Sequence, residues 1–168
     1  MSPLRTSGAP RCGAAALGCL ALSACVAAPA FDASTRAAVE TEIRGTLRAF
    51  EAAVATGDAR TIASYYADRD DFLWLEDGRV SYESVGAVEA SIAAVAGQMS
   101  FSRLTLSEST ITALDPNAAH VTMLFDQSFG ADADTIRYSG AMSAAMVRTE
   151  DGWKFLRGHT STPSRRDS

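Results

Sequence analysis

The side chains best suited to chemistry lie on the last three predicted strands of the chain. If the Gly130–Asp134 loop is symmetric, Phe129 pairs with Thr135 and Asp126 falls opposite Tyr138. If Asp151-Gly152 is a two-residue turn, period-two alternation completes one face, whose members are Asp126, Tyr138, Met142, Met146, Trp153, Arg157 and His159. A one-residue slip in either loop would turn part of this set outward, and Glu150-Asp151-Gly152 could form such a three-residue loop.

This predicted face could support proton transfer. A carboxylate at Asp126 among Met and aromatic side chains would have its charged form disfavoured, which makes it a candidate general base. Tyr138 could donate a hydrogen bond beside it, and His159 could move a proton near neutral pH. The alternatives are an Asp126 in solvent at the sheet edge and a His159 that is a core histidine bonded to a backbone carbonyl or to Ser161.

The same face also has the composition of a pocket for a small, partly apolar molecule. Arg157 could bind a ligand carboxylate, or it could form a salt bridge with Glu150, Asp126 or another acid. Tyr65 and Tyr66 are adjacent on a predicted helix, so only one can point fully inward. The remaining members of the predicted wall are large apolar residues, namely Trp74, Met142, Met146 and Trp153.

Other chemistries have little support in the sequence. Asp68, Asp70 and Asp71 form an acidic cluster, but their spacing and the lack of a nearby histidine favour a solvated loop over a metal site. The sequence has no phosphate loop, nucleotide fingerprint or serine-elbow motif, so we expect no cofactor and no metal. A net charge of −5 argues against nucleic acid as a partner.

The predicted elements are three helices with a hairpin inserted, followed by four strands. A helix capped by Ser34 or Thr35 and ended by Gly57 carries an apolar stripe, and shorter helices follow Asp58 and Ser84. Asp77-Gly78 predicts a hairpin turn, and a slip in alternation near Ser107 to Thr110 predicts a bulge. This order indicates an α+β fold, a cone in which a curved antiparallel sheet wraps around the N-terminal helices and leaves a cavity.

Two segments of this order resemble the nuclear transport factor 2-like superfamily, especially its SnoaL-like and ketosteroid-isomerase-like bacterial branches. They are FEAAVATGDARTIASYYADRDDFLWLEDG and GWKFLRGHTS, and the resemblance covers roughly residues 35–162. It implies a fold shared by isomerases, dehydratases and dimeric scaffolds, so it does not select a reaction. We expect either a small-molecule-binding domain with cofactor-free isomerase or dehydratase chemistry, or a non-catalytic homodimeric module that pairs through the small residues Ser139, Ala141, Ser143 and Ala145.

The N-terminus predicts export. Residues 1–24 have Arg5 and Arg11 before an apolar run, which is typical of a signal peptide. The sequence Leu-Ser-Ala-Cys resembles a lipobox and implies cleavage before Cys25, lipid attachment to its thiol and anchoring in the outer membrane. The alternative is cleavage after Ala30, which would release a soluble periplasmic or secreted protein. A tether at 25–33, a domain at 34–162 and a polar tail at 163–168 complete the predicted organisation.

Overall fold

A computed structural model describes residues 31–131 and 134–163 of the chain. The predicted signal peptide and the predicted lipidation site, Cys25, lie outside the described residues, and so does most of the tether. No helix within the described ranges is long and apolar enough to cross a membrane.

The first helix, α1 (Ala33–Thr56), has the predicted buried stripe. Val39, Ile43, Leu47, Phe50 and Val54 are all buried. The predicted N-cap was wrong by two or three residues, because the carboxylate of Asp32 accepts a hydrogen bond from the Thr35 backbone nitrogen at 2.8 Å. Gly57 ends the helix in the left-handed conformation, as predicted, with φ 69°.

The two shorter helices begin at the predicted caps. Asp58 caps α2 (Ala59–Ala63) and Ser84 caps α3 (Val85–Ala96). The second helix is shorter than predicted, because the backbone leaves it to pair with the sheet. Tyr66 forms an isolated bridge to Phe155, and the Phe155 carbonyl accepts a 2.8 Å hydrogen bond from the nitrogen of Ala67. This bridge fixes the orientation of the Tyr66 side chain relative to the sheet.

In the described part of the chain, six strands form one sheet: β1 (Leu73–Glu76), β2 (Arg79–Tyr82), β3 (Phe101–Asp115), β4 (Ala118–Ala131), β5 (Asp134–Thr149) and β6 (Gly152–Ser161). Their order is β2-β1-β6-β5-β4-β3. The predicted α+β class is confirmed: the sheet is curved and unclosed, as in the nuclear transport factor 2-like cone. It is mixed rather than wholly antiparallel, since β1 pairs parallel to β6. The core lies between the sheet and α1.

The predicted turn and bulge are both present. Asp77 and Gly78 have φ values of 49° and 79°, so both turn residues adopt the positive φ that a tight two-residue hairpin requires. Between Ser107 and Thr110 the pairing of β3 with β4 is irregular, and Glu108 has a φ of 50°.

The predicted strand registers were wrong. Gly130 pairs with Thr135 and Ala131 with Asp134, so only two residues separate β4 from β5. This one-residue difference places Gln127, and not Asp126, opposite Tyr138.

A second register difference lies between β5 and β6. Arg148 pairs with Trp153, so the two-residue turn is Glu150-Asp151. An irregularity between Ala145 and Met146 then shifts the pairing, and His159 lies opposite Ser143 instead of Ala144.

Candidate functional site

A cavity of about 520 Å³ lies between α3 and the concave face of the sheet. Its apolar wall comes from all parts of the fold. Phe50 and Val54 come from the end of α1, Ile92 comes from α3, and Leu104 and Met142 come from the long strands. This volume falls within the range of small-molecule sites.

The cavity exists because α3 does not pack on the long strands. Its neighbours are α2 and β2. Only Val88 of α3 is fully buried, while Ile92 is half-buried and Val95 is 45% exposed. Val88, Ile92 and Val95 all line the cavity, so the apolar face of α3 is turned toward an unfilled space.

Three tyrosines bring hydroxyl groups to this cavity. Tyr138 donates a hydrogen bond to Oε1 of Gln127 at 2.8 Å, and the hydroxyls of Tyr82 and Ser91 are 3.0 Å apart. The Tyr66 hydroxyl has no hydrogen-bond partner in the described part of the chain. This hydroxyl can therefore hydrogen-bond with a molecule that enters the cavity.

The hydroxyls of Tyr66 and Tyr138 are donors and not bases at neutral pH. Burial, followed by the nearby charge of Glu76 and the Tyr82 hydroxyl, raises the pKa of Tyr138 to about 12. Burial also raises the pKa of Tyr66 well above its usual value, with smaller contributions from Tyr82, Glu76 and Tyr138. Both groups therefore keep their protons and can donate hydrogen bonds to a ligand.

Two carboxylates lie at the edge of the cavity, where β1 turns into β2. Asp77 accepts hydrogen bonds from the nitrogen of Thr162 at 2.7 Å and from its hydroxyl at 2.9 Å, and these bonds lower the pKa of Asp77. Glu76 is exposed and forms no ion pair among the described residues. Glu76 was not among the predicted site residues, although its spacing of two from Trp74 places both side chains on one face of the strand.

Four of the predicted residues line the cavity: Tyr66, Trp74, Tyr138 and Met142. Their role in ligand binding stays a prediction. Of the two adjacent tyrosines, Tyr66 is the one that reaches the cavity, while the Tyr65 ring packs on Phe50 with centroids 5.4 Å apart.

Two further predicted wall residues are buried elsewhere in the core. Met146 has 0% exposure and does not line the cavity. The indole of Trp153 packs toward α1, where its Nε1 donates a 2.9 Å hydrogen bond to Glu42, and the Arg148 guanidinium lies over its ring. Both side chains therefore belong to the core and do not form part of the cavity surface.

The predicted inward positions of Asp126, Arg157 and His159 were wrong, because the register places all three on the convex side. Asp126 is exposed, as its alternative predicted, and Arg157 donates from Nε to the backbone carbonyl of Asp71 at 2.8 Å. His159 lines a separate hollow of about 250 Å³ on the outer face, beside Ser143 and Ser161. Its buried Nε2 has no hydrogen-bond partner within residues 31–131 and 134–163. Neither predicted base therefore reaches the cavity.

No metal centre is formed by the residues that the structure describes, since none of their His, Cys, Asp and Glu side chains group in threes. In the acidic cluster, the Asp71 carboxylate is held by two hydrogen bonds from Arg69, at 2.9 and 3.0 Å.

A curved, open sheet that holds helices and a cavity on its concave side defines the nuclear transport factor 2-like class of proteins. Within this class, residues 43–165 match the SnoaL-like domain, and the chain belongs to that family. No curated protein matches the sequence.

Several solved structures have the same fold at low sequence identity. A candidate scytalone dehydratase from Novosphingobium aromaticivorans DSM 12444 has a TM-score of 0.70 and 12% identity, over 77% of this chain and 87% of its own. A candidate dehydratase of the same superfamily from Streptomyces avermitilis has a TM-score of 0.65 and 19% identity, over 77% and 99%. A candidate calcium/calmodulin-dependent kinase II association domain from Xanthomonas campestris gives 0.61 and 17%, over 74% and 87%. At these identities the similarity shows the fold alone.

Proposed function

We propose that this protein binds a small, partly apolar molecule in the cavity between α3 and the sheet. The observation that supports it is a 520 Å³ space with an apolar wall and an uncommitted tyrosine hydroxyl, that of Tyr66. Water alone is a poor occupant of such a space, because most of the wall offers it no hydrogen-bond partner. A ligand with an apolar body and a few polar atoms satisfies both parts of the surface.

The proposal is limited to binding. Asp126 and His159 were the predicted bases for isomerase or dehydratase chemistry, and their side chains lie on the opposite side of the sheet from Tyr66 and Tyr138. Two structural neighbours are named as candidate dehydratases, which is compatible with a ligand in the cavity. A shared fold does not transfer their reaction to this chain.

A matched pair of tryptophan substitutions on α3 tests the proposal. Ile92 lines the cavity, whereas the next residue, Ala93, is exposed and does not. We expect that Ile92→Trp fills the cavity and that Ala93→Trp leaves it open. The measurement is thermal stabilisation by a panel of small aromatic and alicyclic alcohols and ketones, followed by calorimetric titration of those that stabilise. Stabilisation of the parent and of Ala93→Trp, but not of Ile92→Trp, is the expected result. Equal stabilisation of all three chains would place the bound molecule elsewhere and refute the proposal.

A non-catalytic homodimeric module is the second candidate function. Leu124 is 41% exposed on the convex face of the sheet, directly opposite Ala141 on the next strand. Ser143 and Ala145 extend this surface of small side chains, onto which a second copy could pack closely. Light scattering of the parent and of Leu124→Arg tests it: a dimer that becomes a monomer supports the module, and a monomeric parent at micromolar concentration rejects it.

We further propose that the domain is exported and attached to the outer membrane through lipidated Cys25. The support is the Leu-Ser-Ala-Cys sequence that follows the apolar run. Mass spectrometry of the protein from a membrane extract tests this. An N-terminal fragment that begins with a diacylglycerol-modified Cys25 is expected, and an unmodified chain that begins at Phe31 would refute the anchor.

A further inference from the structure

Among the described residues, the charged side chains that line the cavity are all negative. Glu76 and Asp77 line its edge, and none of the described lining residues is Lys, Arg or His. Neither carboxylate takes part in an ion pair within the described part of the chain. The hydrogen bonds from Thr162 keep Asp77 ionised, so its charge persists at neutral pH. A carboxylate, phosphate or sulfate on a ligand would therefore meet like charge. His159, which after Thr162 also lowers the pKa of Asp77, lies on the convex side of the sheet and does not line the cavity.

The position of Glu76 directs its carboxylate toward the cavity. It shares a strand face with Trp74, whose ring forms part of the wall, and it pairs in parallel register with Thr160, which also lines the cavity. Its negative charge contributes to the raised pKa of both Tyr66 and Tyr138, which places it within electrostatic range of both phenols. Glu76 is thus an acceptor at one end of the cavity. Arg79 lies opposite it on β2, but among the described residues it forms no ion pair with Glu76 and does not line the cavity.

Aromatic rings form much of the wall of the same cavity, and two of them, Trp74 and Tyr82, belong to the hairpin that carries Glu76. Seven of the lining side chains are aromatic, among them Tyr66, Trp74, Tyr82 and Tyr138. The Tyr66 and Trp74 rings meet edge to face, with centroids 5.3 Å apart. The negative faces of aromatic rings attract a positively charged nitrogen, most strongly where water is displaced.

We propose that the ligand of this cavity carries a protonated amine, which pairs with the Glu76 carboxylate and lies against the aromatic rings while the apolar body of the ligand fills the space beneath α3. This inference rests on the proposed function, because it names the ligand class for the same cavity. The Tyr66 hydroxyl remains a donor for a second polar atom of the ligand.

Three probes that share one ring system test the charge preference. They are 2-naphthylmethylamine, 2-naphthylmethanol and 2-naphthoate, which are cationic, neutral and anionic at pH 7. We expect the amine to bind about tenfold more tightly than the alcohol, from the combined ion pair and cation–π attraction, and the carboxylate to bind most weakly. The difference between amine and alcohol should shrink as salt is raised from 20 mM to 500 mM, since exposed charges are screened.

Variants separate the contribution of Glu76 from the general charge of the protein. Glu76→Gln keeps the shape of the side chain and removes its charge, and we expect the preference for the amine to fall to threefold or less. Glu150→Gln removes one charge from the exposed turn between β5 and β6, outside the cavity, and should leave the preference unchanged. Arg165 and Arg166 follow Thr162, a residue of the cavity edge, closely in the sequence. The three probes are therefore also measured on R165A/R166A, and we expect the same order of affinities.

The outcomes distinguish this inference from the proposed function. If all three probes bind equally and Ile92→Trp abolishes their binding, the cavity binds small molecules but the amine preference is wrong. A naphthoate that binds more tightly than the amine, in either the parent or R165A/R166A, also overturns it. If no probe binds, or if Ile92→Trp has no effect on binding, the probe series contradicts both the amine preference and binding in this cavity.

Discussion

Gly158 is the residue on which the placement of the Trp74 ring depends. The two residues pair across the parallel strands β1 and β6, and the indole lies over the space that a side chain at 158 would occupy. A Cβ built on Gly158 would be 2.2 Å, 2.5 Å and 2.7 Å from three atoms of that ring. Gly158→Ala therefore tests whether the absence of a side chain is what allows the wall of the cavity to form.

The loss of stability expected for Gly158→Ala depends on how far the Trp74 ring can move. The ring would have to move by about 1 Å to restore ordinary contact with a Cβ. Tyr66 and Phe155 limit its movement, with centroids 5.3 and 5.9 Å away, so its open side is the cavity. We expect Gly158→Ala to lower the free energy of unfolding by about 1–3 kcal/mol, the usual cost of overpacking, and to reduce the cavity volume. Such a loss corresponds to a fall in Tm of about 2–12 °C.

Thermal unfolding of a double-mutant cycle checks the cause. Trp74→Leu removes the ring atoms that a Cβ at position 158 would meet, so Gly158→Ala should cost much less in the Trp74→Leu background than in the parent. Binding of 2-naphthylmethanol to the Gly158→Ala variant should weaken in parallel, since the displaced ring enters the space of the ligand. Equal costs of Gly158→Ala in both backgrounds, or no cost at all, would refute the argument that Trp74 requires a glycine beneath it.

Three further predictions concern the scaffold. Gly45→Ala should stabilise the protein by about 0.5–1 kcal/mol in thermal unfolding, because a Cβ in the middle of α1 would meet nothing within 4 Å. Glu108→Gly should raise stability by up to about 1 kcal/mol by relieving its φ of 50°, whereas the matched change at Ser107 should lower it. The hydrogen bond from the Trp153 indole, and to a smaller extent Arg148, lowers the pKa of Glu42 below its ordinary value of 4.5. Ionised Glu42 should therefore stabilise the folded protein fully above about pH 4.5, and this contribution should be lost as pH falls through the folded-state pKa. Because Glu42 is partly exposed, its effect should stay below about 1 kcal/mol, and Glu42→Gln should unfold with a flatter acid limb between pH 5 and 3.

The elements of this fold were readable from local signals in the sequence. The stripe from Val39 to Val54 has the helical period, and Asp58, Gly57 and Ser84 mark helix ends with residues whose backbone or side-chain chemistry suits those positions. The bulge near Glu108 was visible as a slip in alternation, because an extra residue in one strand must interrupt period two. Each of these features depends on residues within a few positions of one another, which is why the sequence alone could predict them.

Which side chains face the cavity depended on loops, and there the prediction failed. The loop between β4 and β5 has two residues instead of the predicted five from Gly130 to Asp134. The pairing therefore shifts by one residue, which exchanges Asp126 for Gln127 on the concave face. The irregularity at Ala145 and Met146 turns His159 outward in the same way. Neither the loop length nor the irregularity at Ala145 and Met146 has a distinctive local signal, since both are decided by how two long strands pair along their whole length and pack on the core.

Glu76 shows where a better inference was available. Trp74 was predicted to lie in the wall and Asp77-Gly78 to form the turn. A strand that ends at this turn must place the residue two after Trp74 on the same face. No distant register enters this argument, because the whole hairpin is local. The carboxylate at the cavity edge therefore follows from the short segment from Trp74 to Gly78, whereas the predicted bases required two long-range pairings to be correct. A site residue that is inferred from a single turn has fewer ways to be wrong than one inferred through a sheet.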